Sequence, residues 1–85
     1  MTVSLGRDVV MSDVDGGVVL LNSRSGRYWH LNATAATMLK ELLNGCSPEQ
    51  TATRITDGSD GAPEQVCADV LALVDSLRQA RLVTS

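Results

Sequence analysis

Two cysteines, Cys46 and Cys67, and one histidine, His30, are the side chains of this 85-residue chain whose types serve most readily in both nucleophilic and metal chemistry. A thiolate beside an imidazole makes a nucleophilic pair only when a third group orients the base and donors await the oxyanion. The spacing of these residues supplies neither. A structural zinc ion takes about four ligands, and neither cysteine has a second ligand at metal spacing. The expectation is therefore no enzyme, no cofactor and no metal. In a reducing compartment the cysteines read as free, partly buried thiols, with a Cys46–Cys67 disulfide as the alternative.

The next most distinctive side chains are built for contact. Tyr28 and Trp29 are the only aromatic residues of the chain and they are adjacent. They lie in a short run, Arg27, Tyr28, Trp29, His30 and Leu31, that reads as a strand. A polar turn (Ser23, Arg24, Ser25, Gly26) joins it to an apolar strand over residues 18–22, so the two form a hairpin. Residues 8–13, with Val9, Val10 and Met11, supply an earlier strand. Asp15, Gly16 and Gly17 form the turn after it, where glycine permits positive φ. The result is a three-stranded antiparallel meander with two open edges.

Helices follow. Asn32 is a favoured N-cap, Ala35, Met38, Leu39, Leu42 and Leu43 recur at helical spacing, and Gly45 ends the helix. Ser47, Pro48, Glu49 and Gln50 combine an N-cap serine, a proline at the first helical position and a glutamine that completes a capping box. This second helix is short, with Ala52 and Ile55 facing inward, and ends before Gly58. Residues 57–62 form a loop, and Pro63 opens a third helix that runs to about Ala80. Its apolar residues fall in two adjacent stripes: Val66, Val70, Leu73 and Leu77, then Cys67, Leu71 and Val74. Together they exceed the roughly 100° arc that packing on one core needs. Either the helix is wedged between sheet and helices, or one flank borders a groove.

Length and charge narrow the function. A chain of this size makes one domain, residues 1–85, with a modest core and little room for an enclosed catalytic cleft. Ten acidic residues against seven basic ones give a net charge of −3, which disfavours a phosphate backbone as partner. The N-terminal residues lack a long apolar run, so neither signal peptide nor membrane span is expected, and the cytoplasm is the expected address. What remains is the edge of the third strand. Unpaired edges are hazards that proteins blunt with charge, proline or a cover, and here only Arg27 and His30 bring polarity. Beside an apolar helix, such an edge suits an extended peptide added as a fourth strand, unless the N-terminal segment or another chain covers it.

These residues resemble a known family. Leu20 and Leu21, a turn with Gly26, the run from Arg27 to Asn32, a small-residue helix start at Ala33 and Thr34, and a helix closing at Leu42, Leu43, Asn44 and Gly45 look like the RiPP recognition element. This is the PqqD-like domain that binds leader peptides of ribosomally made, post-translationally modified peptides. Ser47, Pro48 and Glu49 match its second-helix cap, Asp69, Val70, Leu73, Val74 and Leu77 its third helix, and Leu82 and Val83 its apolar tail. With arginine, tyrosine and tryptophan before Leu31 and Asn32, the chain looks most like the stand-alone recognition proteins of lasso-peptide biosynthesis.

The resemblance implies an α+β, winged helix-turn-helix-like fold, a three-stranded antiparallel sheet followed by three helices. It implies a non-catalytic role: binding the precursor's leader antiparallel to the third strand, against the third helix. The precursor would then be presented to a separate leader peptidase, a cysteine protease, and to an ATP-dependent macrocyclase. By the same resemblance, backbone groups from Arg27 to Leu31 pair with the leader, and Tyr28, Trp29 and His30 shape the strand side. Val66, Val70, Leu73 and Leu77 form the helix wall, and Asp69 meets a basic leader residue or is simply solvated. Arg78 and Arg81 meet acidic leader residues or complement the helix C-terminus. Two other classes stand beside this reading. One is an adaptor that joins another protein through the same edge. The other is a winged-helix DNA-binding protein, which the acidic residues Glu64, Asp69 and Asp75 of the third helix oppose.

Overall fold

The structure is a computed structural model that describes residues 3–56 and 63–84. In chain order these form β1 (Ser4–Leu5), β2 (Val9–Val14), β3 (Gly17–Asn22), β4 (Tyr28–Asn32), α1 (Ala33–Leu43), α2 (Pro48–Thr56), α3 (Pro63–Gln79) and β5 (Val83–Thr84). The fold is α+β: β2, β3 and β4 make an antiparallel meander with β3 in the middle, and the three helices follow. Each expected strand is present, displaced by a residue at one or both ends. The loop expected over residues 57–62 lies outside the described residues.

The turns form where short-range chemistry demands them. Asp15 and Gly16 link Val14 to its partner Gly17, with Gly16 at φ 83°. In the β3–β4 loop, Asn22 Oδ1 accepts bonds from the N–H groups of Arg24 and Ser25 at 3.0 and 3.2 Å. Gly26, at φ 76°, lets its N–H reach back to Asn22 O at 2.8 Å. An asparagine holding nearby amides in this way is a local turn that needs no tertiary help.

Helix signals act at the same short range. Asn32 Oδ1 caps α1 by accepting from Ala35 N–H at 2.9 Å. Ser47 and Gln50 form the reciprocal capping box at the start of α2: Gln50 N–H donates to Ser47 Oγ at 3.1 Å and Ser47 N–H to Gln50 Oε1 at 2.9 Å. Beyond Ala52, α2 also buries Pro48, Thr51 and Thr56, whereas Ile55 is half-buried.

Val18, Leu20 and Leu31 on one sheet face meet Leu39 and Leu42 of α1 and Val70, Val74 and Leu77 of α3 in one core. Each such aliphatic side chain contributes about 2 kcal/mol on burial. The buried arc of α3 thus straddles both expected stripes. Leu73 and Leu71 fall at its opposite margins, Leu73 half-buried and Leu71 exposed. Two strands escaped the sequence reading. β1 and β5 pair antiparallel, Ser4 with Thr84 and Leu5 with Val83, and Val3, Leu82 and Val83 enter the core. The segment read as an apolar tail is therefore part of the main packing. No helix among the described residues is long and apolar enough to cross a membrane.

Candidate functional site

Cys46 follows α1, Cys67 lies on α3, and both are free thiols. Cys46 Sγ donates to Glu41 Oε2 at 3.4 Å, and His30 stands exposed on β4. Among the described residues no group of three metal-ligating side chains occurs.

The edge of β4 is the more informative place. β4 pairs with β3 on one side, and the N-terminal segment, which a cover would require, pairs with β5 instead. Among the described residues the outer edge of β4 has no strand partner. Which of its groups face outward follows from the hydrogen-bond phase. Asn22 N–H donates to Arg27 O at 2.8 Å, and on the other side of β3 Ser23 N–H donates to Asp8 O at 2.8 Å. Antiparallel pairs alternate between bonded and non-bonded, so Trp29 and Leu31 direct their main-chain groups at β3. Those of Tyr28 and His30 point away from the sheet.

Side chains sort by the same register. Trp29 lies opposite Leu20 and Leu31 opposite Val18, and directly opposed residues share a face. Leu20 and Val18 are fully buried, so Trp29 and Leu31 belong to the face under the helices. Trp29 is still 39% exposed there, as befits an edge position. Tyr28 and His30 share the opposite face with Leu21 and Val19, and Tyr28 is 69% exposed. Of the three residues expected to shape the strand side of a groove, only Trp29 is directed toward the helices.

A cleft of about 320 Å³ lies at the last residue of β4, lined by Asn32, Thr34, Ala35 and Met38 on one side and Asp69, Ala72, Leu73 and Ser76 of α3 on the other. Asp69 is exposed, and its Oδ1 accepts a bond from Gln65 Nε2 at 3.3 Å. Of the other expected wall residues, Leu73 lines the cleft and Val66 is half-buried, whereas Val70 and Leu77 are core residues with essentially no exposed surface. Arg27 is exposed at the start of the strand. Ala72 and Ser76 escaped the sequence reading, although their spacing from Asp69 puts all three on one helix face. Thr34 and Met38 escaped it because they read as helix start and core. The second apolar flank of α3 borders a different cleft of about 410 Å³, between Ala52 and Thr53 of α2 and Cys67, Ala68 and Leu71 of α3.

The comparisons with known proteins agree with this architecture. Residues 17–83 match the family model described as Coenzyme PQQ synthesis protein D, PqqD, and the chain belongs to that family. Among solved structures it is similar to a lasso peptide synthetase B1 complexed with the leader peptide, at 34% identity and a TM-score of 0.93 over 100% of both chains. It is also similar to TbiB1 in complex with the TbiA(beta) leader peptide, at 26% identity and a TM-score of 0.84 over 100% of this chain and 96% of the other. No curated protein matches the chain.

Proposed function

We propose that this PqqD-family chain is a non-catalytic recognition domain that binds the leader peptide of a ribosomally synthesised lasso-peptide precursor. The leader adds to β4 as a fourth strand beside α3. The domain presents the bound precursor to a separate leader peptidase and an ATP-dependent macrocyclase. The observation that carries the reading is the unpaired β4 edge, with the Tyr28 and His30 main-chain groups directed outward and the Trp29 side chain on the sheet face under the helices. The likeness to two chains solved with leader peptides supports it.

Strand addition explains how a chain with few polar anchors holds a peptide. The main-chain bonds give affinity to any extended segment, and alternate side chains are read by what lies beside the edge. On the helix side these meet Trp29, Leu73, Ala72 and Met38, an apolar surface flanked by Asp69. A segment of about ten residues buries on the order of 1,000 Å² in total, and ordering it costs several kcal/mol. Binding in the micromolar to nanomolar range follows, roughly −8 to −12 kcal/mol.

Fluorescence polarisation of a labelled leader, taken from a precursor encoded beside this gene, tests the proposal against a scrambled leader. Saturable binding of the native peptide alone is expected. Trp29→Ala and Leu73→Ala should weaken it about tenfold or more. Lys40→Ala, which removes an exposed pair with Asp13, should leave it unchanged. Equal losses in all three variants, or none in the first two, would count against the groove.

A further inference from the structure

Five of the seven basic residues belong to segments that meet at one end of the molecule. Gly6 N–H donates to Leu82 O at 2.9 Å, tying the residues before β2 to the chain just after α3. Asp8 O accepts from Ser23 N–H and Ser23 Oγ at 2.8 and 3.0 Å, tying them also to the β3–β4 turn. Arg7 lies between these two ties, with Arg78 and Arg81 in the segment joined at the first and Arg24 and Arg27 beside the turn joined at the second. The side-chain carboxylates in these segments are Asp8 and Asp75, and the chain as a whole is negative. Arg7, Arg78 and Arg81 border a cleft of about 470 Å³ beside Val83 and Thr84. Arg78 Nη2 pairs with Asp75 Oδ1 at 3.1 Å, whereas Arg7 and Arg81 make no ion pair among the described residues.

Arg81 stands where local chemistry favours glycine. After α1, Gly45 N–H bonds Leu42 O, Cys46 N–H bonds Glu41 O, and Gly45 has φ 98°. The same two bonds recur after α3, where Arg81 N–H bonds Arg78 O and Leu82 N–H bonds Leu77 O. Here, however, the left-handed residue is Arg81, at φ 61°. It is the one non-glycine residue with positive φ among those described. This helix ending normally takes glycine because a Cβ is strained there. The arginine is held there at a cost to the fold.

We infer that this arginine cluster binds an acidic stretch of the leader, on the C-terminal side of the segment that docks on β4. The inference rests on the strand-addition reading above. The family resemblance implies a leader antiparallel to β4, which is also the slightly more stable of the two pairings per residue. The leader's C-terminal flank then emerges at Arg27, at the arginine-rich end.

The test uses labelled leaders whose C-terminal flank is rewritten as glutamates or as glutamines, with the docking segment intact. The glutamate peptide should bind about tenfold tighter at low salt, from a few exposed pairs together, and salt should erode the gain. Arg81→Gly and Arg7→Gln should each reduce the gain while binding the glutamine peptide as the parent does. Arg81→Gly should also raise Tm by roughly 4 °C, which separates lost recognition from lost folding. Equal binding of the two peptides, or a gain untouched by both variants, overturns the inference alone. Failure of the glutamine peptide to bind overturns the groove reading and this inference with it.

Discussion

Gly17 carries a constraint that its turn chemistry does not express. A Cβ built there would lie 1.8 Å from Leu31 O, so any side chain pushes β4 away from β3 at the end of the hairpin where the cleft begins. Gly17→Ala should destabilise the protein by more than about 2 kcal/mol, read from urea unfolding. A cost below about 0.5 kcal/mol would show that the strands part freely there. The sequence marks Gly17 as part of a turn with Asp15 and Gly16, which is legible because turn residues act over two or three positions. The close approach of Leu31 depends on pairing with another strand, so no local pattern announces it. The same holds for Tyr28 and Trp29. Alternation says that neighbours face opposite ways, but only the pairing of Leu20 with Trp29 says which of them faces the helices.

Elements with strong local signals were the readable ones. The caps of α1 and α2 involve bonds between residues three apart, and both helix starts stand where Asn32 and Ser47 put them. β1 and β5 have two residues each, too short for any alternation to register, and each exists because the other lies opposite. Their consequence is energetic. Leu82 is 1% exposed, so Leu82→Ala should cost about 3 kcal/mol through lost burial and the cavity left behind. Chemical denaturation checks this, and a change under about 1 kcal/mol would return the C-terminal segment to the status of an accessory tail. The α3 periodicity was legible as excess apolar surface, but its division was not. Leu73 borders the cleft beside β4 and Leu71 the cleft beside α2, a split set by where α1 and α2 lie.

Taken as a whole, the molecule is a small core under a three-stranded sheet whose outer strands, β2 and β4, have no further strand partner among the described residues. The Trp29 side chain and the cleft by Leu73 both lie on the helix side of the sheet, and the segments that carry Arg7, Arg24, Arg27, Arg78 and Arg81 are tied together through Gly6 and Asp8. The central claim is that the leader becomes a fourth strand on β4, and amide hydrogen exchange with and without leader tests it most directly. The outward N–H groups of Tyr28 and His30 should exchange freely in the unbound protein and become protected on binding. Those of Trp29 and Leu31, already bonded to β3, should change little. Protection at Tyr28 and His30 alone would establish edge pairing in the expected phase. Saturating leader that leaves both amides exchanging freely would contradict it.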